Sequence, residues 1–331
     1  MRRTPTLVAA LAALSILAGR AQPVMAVPKP FTRHTKGLAE AQATGKPLIL
    51  QFVQAKHRRG PDLAKTFITG PHAERIAEHC VLTVLAIEDN KSLAKKYGVE
   101  TDISAAVAAN PYGGNTLNKR VLAHRRRPFR DGHGFHEVVE QFMAMDYIRD
   151  SVQRYVQEMT TSYLPLLEDI SDEDLKKPPL KLIGAVRFVA YRKLRDKLPR
   201  LHAIATNPAA GESLRLTAVE SIVAVGDPGS YATLASLLSE RSKLGKAAAD
   251  ALLAAGEPAI KPCFEALATT GSTAACSRLV EILTKLTKTP SGHSNAQWLL
   301  AKPPTRQQWV RQWQADAKKA TPASAPAAGT R

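Results

Sequence analysis

The chain is poor in cysteine, in aromatic residues and in acid. Only Cys80, Cys263 and Cys276 occur in 331 residues, and no two of them form a CxxC pair or a zinc-ligand spacing. That excludes a dithiol redox motif, a structural zinc site built on cysteine and a disulfide scaffold. Aromatic residues make up 5% of the chain, and all three tryptophans, Trp298, Trp309 and Trp313, lie near its C-terminal end. Acid is outnumbered, with 29 Asp and Glu against 46 Lys and Arg, for a formal charge of +17. Such a field attracts anionic partners before any specific contact forms. Long apolar runs are missing as well. The longest, Leu7 to Gly19, falls short of the ~20 residues a membrane span needs, and no later stretch approaches that length.

What is present begins with a leader. Residues 1–26 read MRRTPTLVAALAALSILAGRAQPVMA: two arginines, an apolar run and a small-residue site at Val24-Met25-Ala26. This is the layout of a secretory signal peptide; a retained short anchor is the alternative. The reading predicts a mature chain from about Val27, exported to the periplasm or the exterior, without a transmembrane segment. Loss of Arg2, Arg3 and Arg20 takes the formal charge from +17 to +14.

Apolar and helical patterns alternate over the first half. Helix is expected over 37–44, closed by Gly45-Lys46-Pro47, then a buried strand over 48–53. Helices over 62–69 and 71–79 precede a second apolar strand over 81–87, with Cys80 just before it as a buried small residue. A short helix over 91–97, a strand over 103–109, a turn at Asn110-Pro111-Tyr112-Gly113-Gly114, a return strand over 119–123 and a long helix from Phe135 follow.

This order, with "AQATGKPLILQF", "KTF", "AEHCVLTVLAIEDN", "LAKKYGV" and "NPYGG", resembles the thioredoxin-like family over roughly 31–145. The resemblance implies an α/β thioredoxin-like domain spanning 27–145, and it places the family's redox motif after the first strand. The two cysteine positions fall on His57 and Gly60, with Lys56 before them and Arg58-Arg59 between them; the family's cis-proline position falls on Ser104. All three are replaced. An imidazole cannot form a mixed disulfide, so thiol–disulfide exchange is excluded in this register.

Two basic runs remain at that end of the expected sheet. Lys56, His57, Arg58 and Arg59 form one; Arg125, Arg126 and Arg127, with Arg130 close by, form the other. The thioredoxin topology makes them neighbours, and together they are the candidate anion-binding residues. The competing reading is a pair of solvated loops. Few aromatics interleave with the basic residues and no nucleic-acid motif is visible, so nucleic acid is disfavoured as partner. Asp131, His133, His136 and Glu137 cluster in a glycine-broken stretch that lacks the rigid frame of a metal site; no metal and no cofactor is expected.

The second half is helical. Residues 146–180 read as a linker helix, with Ser171 as a helix cap. Beyond it a period of 30 emerges: Arg215–Ser239 and Gly245–Ala268 align, so that Ala218 meets Ala248, Ile222 meets Leu252, and Gly226-Asp227-Pro228 meets Gly256-Glu257-Pro258. In each unit Gly is expected to close one helix, the acid to cap the next, and Pro to take its first turn. These words resemble HEAT-like repeats, including the short class of the PBS-lyase type, over roughly 181–287; a plain helical bundle is the alternative. The resemblance implies an all-α array over 181–315, before a disordered tail over 316–331. Cys263 and Cys276, on consecutive helices, are either buried thiols or a disulfide pair. The tryptophans are read as a cap on the array, with an exposed aromatic patch as the other possibility. The functional expectation is an exported, non-catalytic adaptor whose partner lies on the helical array, on the basic sheet end, or on both, the array suiting a protein and the basic end an anionic surface or polymer. The alternative is a divergent thioredoxin-like oxidoreductase or another enzyme.

Overall fold

The computed structural model describes the backbone of residues 30–56, 67, 73–100, 104–122 and 133–320, and their side chains except those of 75, 133–144 and 320. The expected leader, the helix expected over 62–69 apart from Phe67, and the last eleven residues lie outside the described residues.

Strands β1 (Leu48–Val53), β2 (Val81–Ala86), β3 (Ala105–Ala109) and β4 (Thr116–Val121) form one sheet in the order β2-β1-β3-β4. β2 runs parallel to β1; β3 and β4 are antiparallel additions. All six residues of β1 are buried, which explains its unbroken apolar run, because a central strand is covered on both faces. Ala41, Leu50, Phe52, Leu85 and Val107 pack on one face, and Ile49, Val53, Ile76, Cys80 and Tyr147 on the other. The covering helices are α1 (His34–Thr44), α2 (Ala73–His79), α3 (Lys91–Lys96) and α4 (His133–Glu158).

β4 starts at Thr116, three residues before its expected start, because a register shift between Ala108 and Ala109 brings Thr116 opposite Ala109. Its mixed, largely polar sequence hid it. As an edge strand it needs little apolar surface, and its Lys119 and Arg120 discourage pairing with another chain.

Past α4 the chain makes a π turn (Met159–Tyr163), a 3-10 turn (Leu164–Leu167) and α5 (Asp172–Lys176), whose cap Ser171 accepts from Asp174 N. Tyr155, Met159, Tyr163 and Leu167 along this stretch belong to the core of the helical region. That region continues through α6 (Leu180–Arg192), α7 (Leu198–Thr206), α8 (Glu212–Val225), α9 (Tyr231–Ser236), α10 (Lys243–Ala255), α11 (Ile260–Thr269), α12 (Thr273–Thr287), α13 (Asn295–Leu300) and α14 (Pro303–Ala320). Residues 316–320, read as the start of the tail, are the last turns of α14.

The sheet and the helices meet at a seam set by two glycines. A Cβ on Gly184 would come within 2.7 Å of the Tyr112 ring, and one on Gly45 within 2.6 Å of the Arg187 carbonyl oxygen. Tyr155 donates its hydroxyl to Gly45 O at 2.7 Å, Tyr112 to Gln42 O at 2.6 Å, and the buried Asn110 donates to Tyr163 Oη at 3.1 Å. The turn at 110–114 is therefore an anchor on the helices, which its turn chemistry alone did not reveal.

The period of 30 corresponds to helix pairs α8/α9 and α10/α11, with α6/α7 as an earlier unit. Gly226 ends α8 in the left-handed conformation, and Asp227 caps the next turn by accepting from Gly229 N. The second junction differs. Gly256 has φ 70° but ψ −136°, and no side chain caps the turn that begins at Glu257. The acidic residue thus plays the expected role once, not twice. Three arginines, unnoticed in the sequence, tie the units together. Arg215 Nε donates to Ala205 O at 3.0 Å, Arg278 Nη1 to Leu238 O at 2.7 Å, and Arg306 to Thr270 O and, at 3.0 Å, to Leu299 O. Each reaches carbonyls at a helix end, which lack intrahelical partners and favour a cation.

Where α8 and α10 end on glycine, α6 ends on Lys193, at φ 51° and ψ 45°. A side chain in that region costs about 1 kcal/mol or more. Lys193 is exposed, so Lys193→Gly should raise stability by about 0.5–1 kcal/mol, read as a higher urea midpoint at an unchanged slope.

Candidate functional site

The carboxyl end of β1 is where the thioredoxin-like resemblance would set a redox motif. The chain leaves the strand through three consecutive backbone N–H groups, each with a partner. Gln54 N donates to Ser104 Oγ at 3.1 Å, Ala55 N to one Glu88 oxygen at 3.2 Å, and Lys56 N to the other at 3.1 Å. Ser104 is fully buried just before β3, and its own carbonyl accepts from Leu122 N at 2.8 Å. Glu88 follows β2, whose Ala86 pairs with Val53. Its carboxyl lies below the usual carboxylate range because it accepts backbone N–H bonds, chiefly its own and that of Lys56.

The arrangement holds the start of a loop, and among the described residues no thiol lies beside it. A serine hydroxyl can accept from a backbone N–H, which a proline at position 104 could not do by side chain. Glu88 was not singled out from the sequence. The signal that could have found it is a lone acid directly after a buried strand, in register with the end of β1. Among the anion-binding candidates the described residues include only Lys56, which is exposed. His57, Arg58, Arg59, Gly60, Arg125, Arg126, Arg127 and Arg130 lie outside the described residues, as do the side chains of Asp131, His133, His136 and Glu137.

All three thiols are described, free and buried. Cys80 precedes Val81, which pairs with Leu48 at the opposite end of β1 from Lys56. Its Sγ donates to Ile76 O at 3.0 Å, and burial pushes the thiol up to about 12. Burial likewise pushes Cys263 up to about 12 and raises Cys276. All three are therefore protonated at neutral pH, and a protonated, enclosed thiol is a poor nucleophile. Cys263 and Cys276 are not joined in a disulfide.

At the far end of the chain Trp298 and Trp313 are buried and Trp309 is half-buried. Trp309 stacks on His293 at 3.8 Å, Trp298 meets Trp309 edge-on at 5.3 Å, and Trp313 meets Phe264 edge-on at 5.3 Å while donating to Thr289 O at 3.0 Å. These rings close the array. Among the described residues no group of three or more His, Cys, Asp and Glu is placed to hold a metal ion, and no helix is long and apolar enough to cross a membrane. No protein-family model, curated protein or solved structure matches this chain.

Proposed function

We propose that this chain is a binding protein that acts outside the cytoplasm: a thioredoxin-like unit without a redox centre, carried on a HEAT-like array that receives a protein partner. The observation that carries the reading is the state of the thiols. None of the three lies at the carboxyl end of β1, and each is buried and protonated. Two further features support it. The parallel β1–β2 pair flanked by an antiparallel hairpin is the strand arrangement such a unit needs. The stacked helix pairs leave extended surfaces of the kind repeat arrays use for partners. The link from array to partner is an analogy of architecture. An anionic surface or polymer as second partner belongs to the same proposal and rests on the two basic runs of the sequence.

Reduction of insulin by the mature protein with dithiothreitol as electron source tests the non-catalytic part. The expected rate equals that of dithiothreitol alone, for the wild type and for Cys80→Ser alike. A rate above that background that vanishes in Cys80→Ser would overturn the reading in favour of an oxidoreductase.

A further inference from the structure

A pocket of about 220 Å³ opens between α8, α9 and α10. Ile222, Val223 and Leu234 give it apolar walls, and Ala251, Ala254 and Ala255 keep its far side low. The repeat supplies an internal comparison. Thirty residues on, Ser230 and Leu234 become Ile260 and Phe264, and the three alanines become Glu281, Thr284 and Lys285. The equivalent space one unit later is therefore lined by larger side chains. The pocket follows from small residues at this junction, not from the array as such.

Its polar edge is specific. Ser230 is buried, and its hydroxyl is held by His202 Nε2 at 2.9 Å. Burial holds the His202 imidazole below its ordinary value, so at neutral pH that ring adds no charge. The formal charge on the pocket lining is the carboxylate of Asp227. Its Oδ2 accepts from Gly229 N at 3.1 Å, while its Oδ1 has Arg195 Nε no nearer than 3.9 Å, beyond hydrogen-bond reach. Arg195 is 70% exposed and Asp227 27% exposed, so the acid is drawn into the pocket while the arginine remains in solvent. A carboxylate at the edge of an apolar recess, with one oxygen lacking a close cation, favours an occupant that brings an aliphatic stem and a positive end.

We propose that this pocket receives a lysine side chain of a partner segment, its methylenes against Ile222, Val223 and Leu234 and its ammonium on Asp227. The proposal rests on the binding-protein reading only in that the lysine belongs to a protein. Arg195 is the local competitor for the carboxylate.

The test uses the mature chain with labelled methyl groups and three small probes: Nα-acetyl-lysine methylamide, its norleucine analogue and its glutamate analogue. The lysine probe should shift the methyl resonances of Ile222, Val223 and Leu234 and bind about tenfold tighter than norleucine, the factor that one charge-assisted bond supplies. Asp227→Asn keeps an acceptor for Gly229 N and should erase that preference. Ala254 is exposed, so Ala254→Trp should fold normally, fill the recess and abolish the shifts. Arg195→Ala should tighten lysine binding about twofold, as expected for removing a weak surface competitor. Equal binding of lysine and norleucine, preference for glutamate, or no shift at these methyls would each overturn the proposal. The insulin result is independent of all of these outcomes, so the two failures are distinguishable.

Discussion

Replacing Gly45 by valine should cost about 3 kcal/mol or more and separate the sheet from the helices, because two penalties add at one residue. The first is conformational: Gly45 ends α1 at φ 72°, where a β-branched side chain is strongly disfavoured. The second is steric, since the new Cβ would sit 2.6 Å from the Arg187 carbonyl oxygen and 2.9 Å from its carbon. Those are backbone atoms within α6, so they cannot swing aside as a side-chain tip would. Retreat of Gly45 would also break the bond that its carbonyl accepts from Tyr155, whose ring is fully buried against Phe188. The tryptophans make this measurable. All three lie at the C-terminal cap, so their emission reports on the array, whereas far-ultraviolet circular dichroism also registers the sheet. In the wild type the two urea transitions should coincide. In Gly45→Val the dichroism should begin to fall before the emission changes. Coincident transitions at the wild-type midpoint would show that the seam does not couple the units.

Trp298→Ala should be the most damaging change within the array, at about 3–5 kcal/mol. The ring is fully buried and touches His293, Trp309 and Trp313, so its loss empties the centre of the cap. In a stacked array each unit leans mainly on its neighbours, and damage at one end spreads inward. Hydrogen exchange should therefore accelerate first in α13 and α14, then in α12, with α6 and α7 close to wild type. Trp298→Phe should cost clearly less. It keeps an aromatic ring in place and removes an indole N–H that is buried without a partner among the described residues. Uniform acceleration over all helices would contradict the nearest-neighbour account.

Local signals were legible in the sequence where a single residue type had to do one thing. Leu48–Val53 is apolar at almost every position because a central strand has no wet face, and the strand found has those bounds. Gly45 and Gly226 stop helices because the left-handed conformation asks for glycine. Lys193 breaks that rule, because it closes α6 in the same left-handed region without being glycine. What stayed hidden is long-range. Arg278 meets Leu238 across 40 residues, and Glu88 meets Lys56 across 32; neither pairing has a periodicity to betray it. β4 was misplaced at its start because an edge strand is free to be polar. At the candidate site, Ser104 was singled out by counting back from the turn that follows it, and its hydroxyl accepts from Gln54 N. The acid that holds the loop after β1 was not, because its role exists only once β1 and β2 lie side by side.

The arginine ties also couple helices that are far apart in the chain. Arg278 in α12 reaches past the whole α10/α11 pair to the carbonyl of Leu238, and Arg306 in α14 reaches back over α12 to that of Thr270. Duplicating or deleting a thirty-residue stretch between Leu238 and Arg278 would take the half-buried Arg278 side chain away from the carbonyl it meets. A change of length by a whole helix pair would therefore cost these contacts, whereas changes in exposed loops would leave both ties intact.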